Sequence, residues 1–123
     1  MKQKVYISLP ITGHEKTVRA RWDAAVSKIR SNKFFGDDIE FYGPNDIDSF
    51  DENGKNYTAE DEGKDWAWYM GECIKDLLRC DVIYMTSGYR ASAGCRTELA
   101  IARERQMTIV IADDADDIIV HPV

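Results

Sequence analysis

The chain has 123 residues, 44% of them apolar and 31% charged, with a formal net charge of −6. These proportions suit one water-soluble globular domain with one core, expected to span residues 1–123. The acidic balance, with no cluster of Lys and Arg, argues against binding nucleic-acid polymers, which takes basic surfaces. No apolar run approaches a membrane span, so no membrane partner is expected.

Met1-Lys-Gln-Lys-Val-Tyr-Ile lacks the apolar core and cleavage site of a signal peptide and reads as the start of a first strand, Val5–Leu9, which makes a cytoplasmic protein the default expectation. Pro10-Ile-Thr-Gly breaks that strand. Thr12 and Glu15 stand at the spacing of a capping box, and Val18, Trp22, Ala25, Val26 and Ile29 then recur near a period of 3.6, predicting a helix that ends about Ser31-Asn-Lys. Ile39–Tyr42 reads as a second strand closed by Gly43-Pro44. Residues 45–56 are polar and acidic and include the turn signal Asn53-Gly54.

Thr58 with Asp61 suggests another capping box. Trp66, Met70, Cys73, Leu77 and Cys80 form one helical stripe, which places Trp66 in the core, whereas Trp68 and Tyr69 are offset from it. With Tyr42 and Tyr57, these two could stack on a base or on a partner. A third strand starts at about Asp81 and runs through Val82–Met85. After a small polar turn, Ser92 opens a helix to about Arg105, with Leu99 and Ala102 inward. Thr108–Ile111 is a fourth strand and Ile118–Val120 a possible fifth. The alternation β-α-β-α-β-α-β implies a parallel sheet between helices, a flavodoxin-like α/β sandwich of four to five strands in the order 2-1-3-4-5.

In such sheets small ligands lie beyond the carboxyl ends of the strands. The end of the first strand and the loop after it offer Tyr6, Ser8, Pro10, Thr12 and Gly13. The loop after the third supplies Gly88, Ser92 and Gly94, with Glu98 in the second turn of its helix. Small residues let main-chain N–H groups approach a ligand. Ser92 could cap its helix or bind an anion. Glu98 precedes Leu99 and so lies at the border of an apolar face, where a carboxylate is partly desolvated and suited to chemistry. Most helix glutamates are merely solvated, so spacing leaves both readings open. Cys73, Cys80 and Cys95 match no zinc pattern, His14 and His121 stand in no ligand motif, and neither a metal nor another cofactor is expected. An odd cysteine count without an export signal suggests reduced thiols.

Three segments taken together, Val5-Tyr-Ile-Ser-Leu-Pro-Ile-Thr-Gly13, Trp68–Met85 and Ser92-Ala-Gly-Cys-Arg-Thr-Glu98-Leu-Ala-Ile-Ala, resemble the nucleoside 2-deoxyribosyltransferase-like superfamily, in particular its DUF4406-like branch. The resemblance covers nearly the whole chain in order. It implies a flavodoxin-like fold and cleavage of the N-glycosidic bond of a deoxynucleoside or its 5′-monophosphate, by hydrolysis or deoxyribosyl transfer. It further implies Glu98 as nucleophile on C1′, Ser92 at a 5′-phosphate, Tyr6 beside the sugar and nucleophile, and Leu9 to Gly13 against the nucleotide. It implies a homo-oligomer, a small-molecule nucleoside or nucleotide as partner, and no cofactor. The superfamily carries a second acid, an aspartate, where this sequence has Cys73. The acid is then expected from Glu72, from the acidic stretch Asp46–Asp65 or from a partner subunit. The alternative is a nucleotide-binding or sensing module without turnover, and cleavage of an NAD-like dinucleotide is a third possibility.

Overall fold

A computed structural model describes residues 2–11, 13–32, 34–43, 65–112 and 118–121; of the last four, only the backbone is described. The capping box proposed at Thr58 and Asp61, the Asn53-Gly54 turn, Tyr57 and the acidic stretches around residues 46–64 and 113–117 lie outside these residues.

The elements follow the expected alternation. Strand β1 is Gln3–Ser8, and a single 3-10 turn at Glu15–Thr17 leads into helix α1, Val18–Ser31. Strand β2 is Ile39–Tyr42, helix α2 is Trp66–Leu77 and strand β3 is Val82–Met85. A second 3-10 turn, Tyr89–Ala91, precedes helix α3, Ala93–Glu104. Strands β4, Thr108–Ala112, and β5, Ile118–His121, complete one sheet in the order β2-β1-β3-β4-β5. The first four strands are parallel, flanked by helices in a flavodoxin-like sandwich. The fifth departs from the all-parallel expectation: it pairs antiparallel with β4, Ile111 opposite Ile119. The reason is connection length. A parallel return needs a crossover of a dozen or more residues, and only residues 113–117 separate β4 from β5.

The period-two alternation of the strands divides the core between the two faces of the sheet. Val5, Ile7, Val82, Tyr84, Val110 and Ala112 face α1, packing with Ala25, Ile29 and the partly buried Trp22 and Val26. Tyr6, Ile83, Met85, Ile109 and Ile111 face α2 and α3, packing with Cys73, Leu77, Cys95, Leu99 and Ala102. The same alternation puts Ser8 on the α3 side, two residues beyond Tyr6.

Local signals differ in places from the sequence reading. Helix α2 is capped by Asp65, whose carboxylate accepts from the Trp68 N–H at 2.9 Å. Trp66 is not core: it is 58% exposed. It is the first residue of α2, and a helical side chain covers the turn N-terminal to its own Cα, which at this position lies beyond the helix. Glu15 does accept from a main-chain N–H, that of Gly13 at 2.9 Å, while Thr12 lies outside the described residues. Gly43 is held to glycine by contact, because a Cβ there would come within 2.1 Å of the Trp22 ring. No disulfide joins the cysteines, all three of which are buried. Among the described residues no helix is long and apolar enough to cross a membrane.

Candidate functional site

Strands β1 and β3 are neighbours in register, Tyr6 beside Ile83 and Ser8 beside Met85. Their carboxyl ends are joined past the last ladder pair. The Ser8 carbonyl accepts from the Thr86 N–H at 3.2 Å and from the Thr86 hydroxyl at 2.8 Å. The loops that follow the two strands therefore leave from one point of the sheet edge.

Helix α3 starts at that point. Gly88, with φ +87°, turns the chain out of β3, a left-handed conformation that suits glycine. Ser92 is the N-cap, its hydroxyl accepting from the Cys95 N–H at 3.2 Å. The Ala93 and Gly94 N–H groups, in the first turn, have no partner within the helix. Gly94 is half-buried against α2, where an added Cβ would lie 3.4 Å from Met70 Sδ, an ordinary van der Waals contact.

One turn further along, Glu98 is turned inward and only 5% exposed. Both of its oxygens accept hydrogen bonds. Ser8 Oγ donates to Oε1 at 2.7 Å, and the Tyr6 hydroxyl donates to Oε2 in a short contact. Burial raises the Glu98 pKa, and the two donors pull it back down by favouring the anion. Tyr6 is displaced in the same sense: burial first, and then the neighbouring carboxylate, hold its hydroxyl protonated well above the ordinary tyrosine range. The pair is thus a carboxylate acceptor facing a phenol that keeps its proton.

Two thiols border the site. The Cys73 thiol lies beside the Tyr6 hydroxyl, and the Cys95 thiol lies within the reach of Ser8 and Ser92, its own pKa raised chiefly by burial. Cys73 belongs to the core packed under α2 and α3. Glu72, one position round the helix, is paired with Lys75 Nζ at 3.1 Å. Among the described residues Glu98 is the one buried carboxylate, and no group of three or more His, Cys, Asp or Glu side chains is placed to hold a metal ion.

Leu9 and Pro10 are buried, Ile11 is half-buried and Gly13 is exposed, with φ +83°. The structure thus brings Tyr6, Ser8, Ser92 and Glu98 to one place, with Leu9, Pro10 and Ile11 leading away from Ser8 and Gly94 on the first turn of α3. Thr12 lies outside the described residues. Gly88 sits at the turn that delivers α3, one step removed from the carboxylate. Two residues escape sequence reasoning. Thr86 ties the strand ends, and Arg21, on α1, holds the loop after β1. Its guanidinium donates to Pro10 O at 2.6 Å, to His14 O at 3.1 Å and to Thr17 Oγ1 at 3.0 Å. The Thr17–Arg21 pair at i,i+4 is a visible helix-surface signal. The two carbonyl bonds leave no trace in residue type.

The family model of a domain of unknown function (DUF4406) matches residues 50–111, a span that includes α2, β3 and α3 with Ser92 and Glu98. No curated protein and no solved structure matches the chain.

Proposed function

The chain belongs to the DUF4406 family, and from its fold and site we propose that it cleaves the N-glycosidic bond of a nucleoside or nucleoside 5′-monophosphate, with Glu98 as nucleophile. The observation that carries this reading is the buried Glu98 carboxylate at the carboxyl end of β1, each oxygen fixed by one hydroxyl, Ser8 on Oε1 and Tyr6 on Oε2. A carboxylate so held is oriented and largely stripped of water, which strengthens its field on a developing positive charge. Each oxygen keeps a further lone pair for an incoming carbon.

In the proposed reaction a Glu98 oxygen approaches C1′ as the bond from C1′ to the base nitrogen breaks. The bonding electrons leave with the base, and the oxocarbenium-like charge on the sugar collapses to a glycosyl ester. The departing base takes up a proton from solvent, and water then attacks C1′, returns a proton to solvent and releases Glu98 as carboxylate. Transfer to a second base would follow the same course. Tyr6 and Ser8 stabilise the free carboxylate and position it, and Tyr6, held protonated, does not compete as a nucleophile. The half-buried Ser92 and the first-turn N–H groups of α3 suit an anionic group such as a 5′-phosphate, which makes hydrolysis of a monophosphate the preferred form of the reaction.

The test is release of free base from a panel of deoxynucleosides and their 5′-monophosphates. Wild type is expected to release base from at least one, and Glu98→Gln to lower the rate roughly 10³-fold or more, as removal of a nucleophile does. No release from any of them at high enzyme concentration refutes the catalytic reading.

Cys73 favours a second reading. It occupies the place at which the resembled superfamily has its second acid, and it is buried in the core beside Tyr6. A thiol is a poor proton donor to a departing base. A site with one buried carboxylate among the described residues also suits a nucleotide-binding module without turnover. That reading calls for ligand binding that survives Glu98→Gln, with no product formed by either protein.

A further inference from the structure

We infer that Arg21 is a positioning residue that sets the loop after β1 for ligand binding while leaving the Glu98 carboxylate alone. The inference rests on the proposed reading of the site for its kinetic consequence. Its structural content stands on the hydrogen bonds.

Arg21 closes the first turn of α1 and is half-buried. Three of its donor contacts converge on the segment between β1 and α1. Nη2 takes Pro10 O at 2.6 Å and His14 O at 3.1 Å, and Nε takes Thr17 Oγ1 at 3.0 Å. Pro10 has no N–H, so its carbonyl is its only main-chain polar group, and the residue is buried. A charged donor satisfies that carbonyl, a stronger bond than a neutral donor makes. One nitrogen, Nη2, serves both carbonyls while Nε takes Thr17 Oγ1, a rigid pair of donors that a single lysine ammonium on a flexible stem does not reproduce. The loop has its own internal bonds, His14 N–H to Ile11 O at 2.8 Å and Thr17 N–H to His14 O at 3.1 Å. Arg21 gathers these turns onto α1.

The carboxylate is held by different means. Ser8 is clasped through its carbonyl by Thr86, and its hydroxyl holds Glu98. Loss of Arg21 therefore frees Pro10 to His14 while Tyr6, Ser8 and Glu98 keep their places. An effect confined to the loop falls on binding and spares the chemical step.

The experiment uses the full chain, with Arg21→Met, which keeps the stem, and Arg21→Lys. On a nucleotide that the wild type turns over, Arg21→Met is expected to raise KM about tenfold with kcat within about threefold, and Arg21→Lys to fall between. A fall in kcat at unchanged KM, or no change in either, overturns the inference. Amide hydrogen exchange supplies a reading that needs no turnover, so failure of the catalytic proposal is told apart from failure of this one. In Arg21→Met the His14 and Thr17 amides are expected to exchange about tenfold faster or more, with the Thr86 amide unchanged. Equal protection of His14 and Thr17 in both proteins, or a loss shared by Thr86, overturns it.

Discussion

Glu98 meets two opposing influences, and their balance has a measurable sign. Burial is the larger and raises its pKa from 4.5, while the bonds from Tyr6 and Ser8 lower it. A carboxylate whose folded-state pKa lies above its unfolded value gives stability that is complete below the unfolded value and is lost as pH rises through the folded one. Glu98→Gln removes that titration. The variant is therefore expected to gain on wild type steadily as pH rises above about 4.5, and the difference then levels off once Glu98 is ionised in the folded protein. Urea denaturation of both proteins between pH 4 and 8 reads this, and a difference that shrinks with rising pH contradicts it. How far such details can be read from sequence varies by residue. Glu98 was half legible: its place beside Leu99 on the border of an apolar face allowed partial burial, spacing left the solvated reading open, and the structure buries it. The acceptor roles of its two oxygens were not, because Tyr6 and Ser8 lie some ninety residues away and only the pairing of β1 with β3 brings them together. Ser8 was expected at a ligand, and the structure adds that its hydroxyl is bonded to Glu98.

At the scale of the element, helix α3 ends in a way the sequence gives no reason to expect. Gln106 adopts φ +56°, the left-handed conformation that glycine enters at no steric cost and glutamine does not. The termination is a Schellman motif: Met107 N–H bonds Ala102 O at 3.0 Å and Gln106 N–H bonds Arg103 O at 3.1 Å. Met107 is buried in the core beside Ala102 and holds the motif in place. Gln106→Gly relieves the strain and also loosens the unfolded chain, so a net gain of about 0.5–1 kcal/mol in unfolding free energy is expected, read from a raised midpoint of chemical unfolding. A loss of stability would mean that the glutamine side chain contributes there. The extent of α3 followed from periodicity to within a residue, and α1 ends at Ser31 as expected, since an amphipathic stripe is a property of many positions at once. But α1 starts only at Val18, after the 3-10 turn, and α2 ends at Leu77, short of Cys80. The ends were less legible. Trp66 continued the stripe of α2 by spacing yet lies at its first position, where a side chain reaches past the helix. The cap, Asp65, stands directly before it.

For the molecule as a whole, strand order was the most legible feature. Alternating strands and helices with right-handed crossovers leave few arrangements of a chain this size. The direction of β5 was not read, although the short span between β4 and β5 excluded a parallel return. Placing β1 next to β3 makes two loops distant in sequence into one site, and the site then couples to the stability of the entire chain. A ligand that binds only the folded protein stabilises it by mass action, by about 2.7 kcal/mol at a hundred times its Kd. A nucleoside 5′-monophosphate is therefore expected to raise the unfolding temperature by several degrees and more than the corresponding nucleoside does, the phosphate falling near Ser92 and the start of α3. A thermal scan with both ligands checks this, and an equal or larger shift from the nucleoside argues against a phosphate subsite there.

The Thr86 clasp on Ser8 carries one more consequence. Two bonds onto a single carbonyl carry the alignment of β1 and β3 one residue beyond their last ladder pair. The floor beneath Glu98 therefore behaves as a fixed beam. If ligands of different size bind, the parts expected to differ between them are the segment beginning at Leu9 on one side and the turn at Gly88 on the other. Differences among such complexes are then expected in the placing of those two segments, with the distance from Ser8 to Glu98 unaltered.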